Sequence, residues 1–507
     1  MNPARNYIAF DLGAESGRCV VGSFESDLLA LHEVYRFQSH RVTVRGEWHW
    51  DILAIFEEMK TGLSRAVSAC GSRFDGIGVD TWAVDYVLMD ADGRLLGYPY
   101  HYRSNRTNGL MEAAFGIVPR ERIYGYTGIQ FMQINTLYQL LAEQRQRTNL
   151  LDVADKMLLM PSYLLYLLSG KMMTDFTIAS TTQLADPHAR DWSWDLIDAF
   201  SLPRKLFASV VESGERLGPL LADLADGAGM KNRPPVFAGA GHDTAVAVAA
   251  VPAKPATLAT PATGDRWAYL SSGSWSLMGV ERAKPIMTEA ALAGNFTNEG
   301  GVEGTTRLLK NISGLWLLQT CRRRWAEQGD AYDYGELARR ASAEGPAHAW
   351  IDPDDPRFLA PGDMPSRIAK FLRETGQPAR EDVGWVTRCI LESLAFKYRQ
   401  VFRELEALTG SRLDRLHVVG GGVRNELLCQ MTADALQREV IAGPVEGTVA
   451  GNLGMQAIAD GHLASVADLR RIIARSFELT TYQPSDPFYW DDNESAFRAL
   501  TAVRRVD

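Results

Sequence analysis

The chain has 507 residues, which exceeds what a single hydrophobic core organises and predicts about three domains or two large lobes. Its hydrophobic fraction of 46% and charged fraction of 23% are ordinary for a globular protein. The net charge of −9 argues against nucleic acid as the main partner, because binding to a phosphate backbone requires a basic face.

The first elements of the chain alternate between strands and helices. Apolar runs at 7–11 and 19–24 predict two strands joined by a small-residue turn. Asp51 can cap a helix whose apolar positions recur at helical spacing as far as Cys70. A short strand at 76–80 follows, so the N-terminal part is of the α/β type.

The turn between the first two strands, DLGAESGR at 11–18, is the first of two similar hairpins, and the second is YLSSGSWSLMG at 269–279. Small residues let backbone N–H groups converge on an anion without obstruction by Cβ atoms. One such loop in each half predicts two related lobes that hold a polyphosphate. The alternative for either loop is a tight turn without a ligand. Asp11 could hold Mg²⁺ beside the phosphates, or it could be an ordinary turn residue at the end of a strand.

The segment GVDTWAVD at 78–85 places two carboxylates and an indole at a strand end. Polar groups beside an aromatic plane suit a ligand with many hydroxyls. The alternative is a hairpin whose tryptophan, Trp82, belongs to the core.

Asp243 follows a predicted strand through GAGH at 239–242 and precedes an apolar helix. A carboxylate in this position can accept a hydroxyl proton during phosphoryl transfer. It can equally cap the following helix. The adjacent His242 could contact a substrate as a neutral imidazole, or it could be structural.

The second half begins after a segment rich in Pro, Ala and Thr at 252–265, which predicts a surface loop. We therefore expect an N-terminal lobe at 1–251 and a C-terminal lobe at 252–507. Long helices are predicted at 311–328 and 383–409. A strand at 416–419 leads into Gly420-Gly421-Gly422 and a helix, an arrangement that suits phosphate. The pattern matches neither the P-loop nor the dinucleotide fingerprint.

The five cysteines are scattered, and no two form a C-x-x-C pair, so the sequence indicates reduced thiols and neither a zinc site nor a disulfide scaffold. The N-terminus lacks the apolar core of a signal peptide, and no apolar run approaches the ~18 residues that span a bilayer. These features predict a soluble, cytoplasmic protein without a membrane partner. Whether it is a monomer or a dimer stays open.

Several of these segments together resemble the FGGY carbohydrate kinases. Within the family, four further segments are similar to members that phosphorylate L-rhamnulose: IQF at 129–131, NTLYQL at 135–140, KNISGLWLLQ at 310–319 and AGPVE at 442–446. The family-wide segments are DLGAESGR (11–18), GVDTW (78–82), GHDTA (241–245), SSGSWSL (271–277), NEGG (298–301), LKNI (309–312) and GGG (420–422).

The resemblance implies an α/β actin-like ATPase (ribonuclease H-like) fold with two related lobes and a cleft between them. It implies transfer of the ATP γ-phosphate to the C1 hydroxyl of L-rhamnulose, with Asp243 as the catalytic base, and Mg²⁺ is expected at Asp11 from its place beside the first loop. The resemblance implies sugar contacts at Ala83, His242, Asp243 and Thr244 in the N-terminal lobe, and the aromatic plane of Trp82 beside them is expected to contact the sugar as well. The residues implied at the ATP site are Ala14, Glu15, Ser16, Gly17, Arg18, Ser274, Asn311, Gln319 and Gly421.

Four positions depart from the family pattern. Ala83 stands where glycine is usual, which would narrow the sugar pocket. Glu15 replaces a small serine, Ser274 a threonine, and Gly241 a serine. Other hypotheses therefore stay open: a kinase of another ketose such as L-fuculose or a pentulose, a non-catalytic sugar or nucleotide sensor, and an actin-like filament protein.

Overall fold

The computed structural model describes residues 4–146, 149–253, 266–359 and 361–502. Strands and helices alternate along most of this length, as expected for an α/β protein. Most of the predicted loop at 252–265 lies outside the described residues. Within the described ranges, no helix is long and apolar enough to cross a membrane.

The strands are numbered in chain order. They are β1 Arg5–Leu12, β2 Ser16–Glu25, β3 Leu28–Gln38, β4 Arg41–Val44, β5 Glu47–Trp50, β6 Gly76–Thr81, β7 Tyr86–Met89, β8 Lys156–Leu159, β9 Thr174–Asp175, β10 Ala185–Asp186, β11 Asp191–Trp192, β12 Val210–Val211, β13 Glu215–Pro219, β14 Pro235–Ala238, β15 Trp267–Ser272, β16 Trp275–Arg282, β17 Thr297–Gly300, β18 Thr306–Ser313, β19 Arg415–Val419, β20 Glu439–Ala442 and β21 Thr480–Tyr482.

The α-helices are numbered in the same way. They are α1 Ile52–Cys70, α2 Leu110–Phe115, α3 Arg120–Thr127, α4 Thr136–Gln146, α5 Leu150–Val153, α6 Met160–Ser169, α7 Phe176–Ala179, α8 Trp194–Ala199, α9 Ala222–Ala228, α10 Asp243–Ala249, α11 Glu289–Ala293, α12 Trp316–Glu327, α13 Tyr334–Ala343, α14 Met364–Glu374, α15 Val383–Thr409, α16 Glu426–Leu436, α17 Gly447–Ala459, α18 Val466–Ser476 and α19 Phe488–Ala502.

The chain forms two compact units, each assembled from three segments. The first unit comprises Met1–Pro252, Glu281–Leu308 and Gly447–Phe477. The second comprises Ala253–Val280, Leu309–Glu446 and Glu478–Asp507. The assignment of the sugar to 1–251 and of ATP to 252–507 stays a prediction.

The first unit is built on a six-stranded sheet in the order β13-β14-β6-β1-β2-β3. The hairpin β1–β2 is antiparallel, whereas β6 runs parallel to both β1 and β14. The helix α1 begins after Asp51, whose side chain accepts a hydrogen bond from the Ala54 backbone N–H at 3.1 Å. Its buried residues include Ile55, Met59 and Leu63, so its apolar face is the one predicted from the spacing.

The second unit repeats this design. Its hairpin β15–β16 is antiparallel, and β15, β19 and β20 run parallel to one another. Because β15 and β19 are parallel neighbours, the loops that follow them leave from the same end of the sheet. The predicted helix at 383–409 is confirmed as α15.

The predicted helix at 311–328 is wrong at its start. Asn311 lies in β18, where nearly every residue is buried, and the helix begins only at Trp316. Gly314 ends the strand, and its N–H donates to the Ser274 carbonyl at 3.2 Å. Apolar periodicity could not separate these two elements, because a continuous apolar run is compatible with a buried strand or with a buried helix.

Candidate active site

Three aspartates of the first unit come from the carboxyl ends of its parallel strands. Asp11 and Asp80 are register partners on β1 and β6. The N–H of Thr81 donates to the Gly241 carbonyl at 2.9 Å, which joins the end of β6 to the segment that carries Asp243. Ligands of open α/β sheets bind outside this edge, so the arrangement marks a candidate site.

Asp243 is the first residue of α10, and His242 occupies the N-cap position without a side-chain capping bond. The hydroxyl of Thr244 donates to Asp243 Oδ1 at 3.0 Å. The Asp243 side chain is 35% exposed, so a substrate could reach it. Burial, with the Asp11 carboxylate nearby as the second cause, raises the pKa of Asp243 to about 7. A carboxylate with these properties can accept a proton near neutral pH.

Asp80 is fully buried between these two acids. The sequence indicated it as one of the two carboxylates of the segment 78–85, but not as a neighbour of Asp11 and Asp243. Asn452 Nδ2 donates to Asp80 Oδ2 at 2.5 Å, while Asp80 Oδ1 has no hydrogen-bond partner in the described part of the chain. Burial, followed by the Asp11 charge, raises the pKa of Asp80 well above its ordinary value. Burial and the neighbouring Asp11 charge therefore both favour the neutral form of Asp80, while the hydrogen bond from Asn452 opposes them.

His242 is buried and contacts charged groups on both sides of its ring. Nδ1 lies 3.0 Å from Arg307 Nη2 and 3.4 Å from Glu299 Oε2, and Nε2 lies 3.4 Å from Asp243 Oδ1. Burial and the Arg307 charge hold the pKa of His242 well below its ordinary value, so the imidazole is neutral. Its neutral state agrees with the predicted role as a hydrogen-bonding group, although contact with a sugar stays a prediction.

Asp11 is paired with an arginine of the same hairpin. Arg18 donates to Asp11 Oδ2 from Nε at 2.9 Å and from Nη2 at 2.7 Å. Both side chains are largely buried, so the pair is more rigid than a surface ion pair. Asp11, the predicted metal ligand, therefore has one carboxylate oxygen hydrogen-bonded to Arg18 of the same hairpin.

The first hairpin has the predicted strand–turn–strand form, with Gly13, Ala14 and Glu15 in the turn. The N–H of Gly13 donates to the Ser16 carbonyl at 3.0 Å, and Ser16 begins β2. A Cβ atom at Gly17 would lie 2.5 Å from the Phe37 ring. Packing against Phe37 is therefore sufficient to require glycine at position 17, whether or not a phosphate approaches this backbone.

Trp82 belongs to a buried aromatic cluster around Asp85. Oδ2 of Asp85 accepts hydrogen bonds from Trp50 Nε1 at 2.7 Å and Trp82 Nε1 at 3.0 Å, and Oδ1 accepts one from Gln139 Nε2 at 3.0 Å. The Trp50 and Trp82 rings are 4.2 Å apart. Because its N–H is used by Asp85, Trp82 can offer a sugar its apolar surface but not this donor.

Ala83 and Val84 form a tight turn beside this cluster. The N–H of Asp85 donates to the Ala83 carbonyl at 3.0 Å, and the intervening Val84 has φ +69°. This conformation is rare for a β-branched residue and stores backbone strain. Thr136 holds the turn by donating from Oγ1 to the Val84 carbonyl at 2.7 Å. Strain of this kind clusters at ligand sites, which is consistent with the predicted sugar contact at Ala83.

In the second unit, two of the four predicted ATP residues, Ser274 and Gly421, lie in connections, whereas Gln319 lies in α12 and Asn311 in β18. Ser274 Oγ donates to Gln319 Oε1 at 2.8 Å. Gly421 belongs to the glycine turn after β19, and a Cβ atom at its neighbour Gly422 would lie 1.9 Å from Ser272 Oγ. Asn311 lies on β18, three residues before the Gly314 that bonds to Ser274. The hairpin loop and the glycine turn therefore pack against each other.

Gly241 departs from the family serine for a reason visible in the first unit. A Cβ atom at Gly241 would lie 2.5 Å from Asp175 Oδ2 and 2.8 Å from Pro161 Cγ. Asp175 is buried and accepts a hydrogen bond from the Gly241 backbone N–H at 3.0 Å. In this chain Asp175 occupies the space beside Gly241 that a serine side chain would need, so the glycine leaves no cavity.

The sequence did not indicate Arg307, Glu299 and Asn452 as members of this cluster, and it indicated Asp80 only as a carboxylate of the segment 78–85. The signal at Asn452 was a polar residue in the helix α17, where Gln456 is also polar and most other residues are apolar or glycine. Its partner Asp80 is 372 positions away, so local patterns could not connect them. Within the described ranges, no group of three or more His, Cys, Asp or Glu residues is arranged to hold a metal ion.

Two family models match the chain. The model of the FGGY family of carbohydrate kinases, N-terminal domain, matches residues 6–250, and the model of the C-terminal domain matches 268–459. A protein named rhamnulokinase from Bacteroides thetaiotaomicron is 46% identical over 96% of this chain and 97% of its own length. A rhamnulokinase from Pectobacterium atrosepticum is 40% identical over 98% of this chain and 97% of its own length.

Solved structures share the fold at low sequence identity. Ligand-bound xylulose kinase from Lactobacillus acidophilus has a TM-score of 0.79 at 14% identity, covering 99% of this chain and 98% of its own. Glycerol kinase from Plasmodium falciparum with ADP has a TM-score of 0.77 at 13% identity, with the same coverage. The predicted α/β actin-like ATPase fold is confirmed. The chain belongs to the FGGY family of carbohydrate kinases and is an ATP-dependent sugar kinase.

Proposed function

We propose that this kinase transfers the γ-phosphate of ATP to the C1 hydroxyl of L-rhamnulose, giving L-rhamnulose 1-phosphate and ADP. Two relatives named rhamnulokinase, at 46% and 40% identity over nearly the whole chain, support this substrate. The observation that carries the chemistry is Asp243, a desolvated but accessible carboxylate at the edge of the parallel strands.

Asp243 acts as the general base in this proposal. Phosphoryl transfer needs little covalent chemistry from the protein, but the attacking hydroxyl must be oriented and lose its proton. A base with a pKa near the working pH combines a useful ionised fraction with sufficient proton affinity. The Thr244 hydroxyl approaches Oδ1 of Asp243, which directs proton acceptance towards Oδ2.

The sugar would bind to the first unit against Trp82, Ala83, His242 and Thr244. The buried Trp82 ring supplies an apolar surface, and neutral His242 supplies a hydrogen-bonding nitrogen. Ala83 presents its backbone in the strained turn that Val84 forms. Sugars bind through a combination of apolar C–H faces and hydroxyls, which these groups match.

We further propose that ATP is bound by Ala14, Glu15, Ser16, Gly17 and Arg18 of the first unit and by Ser274, Asn311, Gln319 and Gly421 of the second. Mg²⁺ usually retains several waters and needs only one or two carboxylates, so Asp11 suffices as its protein ligand. Arg18 contacts Oδ2 of Asp11 through Nε and Nη2, so Oδ1 is the oxygen that would hold the ion, directly or through water. The ion, when bound, neutralises charge on the phosphates.

The test is ATP- and Mg²⁺-dependent phosphorylation of L-rhamnulose, L-fuculose, L-ribulose, L-xylulose and glycerol. We expect the highest kcat/KM on L-rhamnulose. A higher value on another ketose would retain the kinase mechanism and refute the substrate. The same panel with Ala83→Gly measures whether the extra methyl group sets the preference between these sugars.

A matched pair of variants separates chemistry from binding. Asp243→Asn should lower kcat by about 10²-fold or more, with the Kd for ATP unchanged, because only the proton acceptor is lost. Asp223→Asn, in the short helix α9 of the same unit, is the control and should have no effect. Loss of ATP binding in Asp243→Asn would show that Asp243 is structural.

A further inference from the structure

Arg307 lies behind the proposed base, in the first unit, and its side chain is completely buried. Nε donates to the Gly300 carbonyl at 3.0 Å. Nη2 lies 3.0 Å from His242 Nδ1 and 3.2 Å from Glu299 Oε2. A buried guanidinium is costly unless its charge is compensated, and Glu299 provides that compensation.

The contact between Arg307 and His242 restricts where the imidazole can carry its proton. A guanidinium is always charged and can only donate hydrogen bonds. At 3.0 Å from Nη2, the Nδ1 atom must therefore be the acceptor and has no proton of its own. Because the ring is neutral, its single proton lies on Nε2.

Glu299 is the group that could favour the opposite tautomer. Its Oε2 lies 3.4 Å from His242 Nδ1, but it is closer to Arg307 Nη2, at 3.2 Å. The guanidinium thus forms an ion pair with Glu299 and lies within hydrogen-bond distance of Nδ1 through the same nitrogen, Nη2. A proton on Nδ1 would point at a positive charge, so the carboxylate does not stabilise that tautomer.

The other ring nitrogen of His242, Nε2, connects this tautomer to Asp243. Nε2 lies 3.4 Å from Asp243 Oδ1, the oxygen that also accepts from the Thr244 hydroxyl. An N–H on Nε2 therefore faces the proposed base, and contacts of this length commonly tighten when substrate binds. The His242 N–H and the Thr244 hydroxyl both point at Oδ1 and so orient the carboxylate. Because both act as donors, the substrate proton stays on Asp243.

We propose that Arg307 is a positioning residue, which fixes His242 as the Nε2–H tautomer and thereby orients the Asp243 carboxylate for reaction. The role of Asp243 as base is part of the proposed function, whereas the tautomer of His242 is a property of the protein without substrate. The two can therefore be tested separately.

The direct test is NMR of the ring nitrogens in protein labelled with ¹⁵N-histidine, with the His242 signals assigned by their loss in His242→Gln. We expect a protonated Nε2 and an unprotonated Nδ1. A protonated Nδ1 would overturn the inference, even if the enzyme phosphorylates L-rhamnulose. Absence of turnover on every sugar, with the expected tautomer present, would refute only the proposed function.

Variants connect the tautomer to the reaction. Arg307→Met should lower kcat by about 10-fold or more with the KM for ATP unchanged, and Arg307→Lys, which keeps a donor, should recover part of the loss. His242→Gln, which retains an N–H near the Nε2 position, should retain more activity than His242→Asn. Equal losses in each pair would indicate a merely structural role and contradict the proposal.

Arg190→Met is the matched control. Arg190 belongs to the same unit and donates to the Gly301 carbonyl at 3.4 Å, next to the residue that Arg307 contacts. Its described contacts do not include His242. We expect the ring signals of His242 and the value of kcat to stay unchanged in this variant. A change as large as that of Arg307→Met would show that general disturbance of this region causes the effect.

Discussion

Arg18 places two hydrogen bonds on a single oxygen of Asp11, from Nε and Nη2, across the first hairpin of the chain. The proposed metal ligand is therefore held in position by the loop that is also proposed to contact phosphate. Fixed charges of this kind stabilise a transferring phosphoryl group because they need no reorganisation during the reaction.

Loss of this pair should impair nucleotide use. We expect Arg18→Gln to raise the KM for MgATP and to lower kcat/KM by about 10-fold or more, since the Asp11 carboxylate then lacks its compensating charge. The control is Arg36→Gln, which breaks an exposed pair with Glu33 that contributes little. Steady-state kinetics at varied Mg²⁺ concentration measures the KM for MgATP and kcat/KM of both variants. Equal values in Arg18→Gln and Arg36→Gln would contradict the role given to Arg18.

The pKa of Asp243 predicts a pH profile. The base must be ionised, and burial raises its pKa to about 7. Log kcat/KM for the sugar should therefore fall with a slope of about one per pH unit below pH ~7 and level off above it. Repeating the profile with Asp243→Asn should give residual activity without this transition. A transition that persists in the variant would assign the ionisation to another group.

The aromatic cluster predicts a cost in stability. Trp50→Phe removes one of the donors to the buried Asp85 carboxylate and should lower the free energy of unfolding by about 1–3 kcal/mol. Tyr98→Phe, at an exposed ring, is the control and should change it by less than about 0.5 kcal/mol. Chemical denaturation measures both values. Indistinguishable midpoints would show that the Asp85 network does not contribute to stability.

Two neighbouring glycines of the second unit should respond differently to alanine. A Cβ atom at Gly422 would overlap Ser272, so Gly422→Ala should destabilise the protein, and Ser272→Gly should partly rescue it. A Cβ atom at Gly421 meets no described atom within 4 Å, so Gly421→Ala should fold normally. If ATP lies against the Gly421 backbone, the KM for ATP should nevertheless rise in Gly421→Ala. Unchanged ATP kinetics in Gly421→Ala would remove Gly421 from the proposed site.

Local sequence patterns predicted one helix of the first unit and one hairpin in each unit. The helix α1 and its cap follow from Asp51 and the spacing of apolar residues, and both hairpins follow from small residues between apolar strands. The predicted helix at 311–328 failed because burial on all sides removes the alternation that distinguishes a strand. Gly17 was predicted as part of a phosphate-binding loop, whereas the structure shows that its backbone packs against the Phe37 ring.

The sequence by itself determined the family and the α/β class, and it identified Asp11, His242 and Asp243, because each lies in a local motif at the end of a strand. Only the tertiary structure decided their electrostatic state. Burial raises the pKa of Asp80, whose hydrogen-bond donor Asn452 is hundreds of residues away along the chain, and Arg307 contacts His242 from 65 positions away. Charge interactions depend on distance and desolvation in space, and neither is encoded in the spacing of residues along the chain.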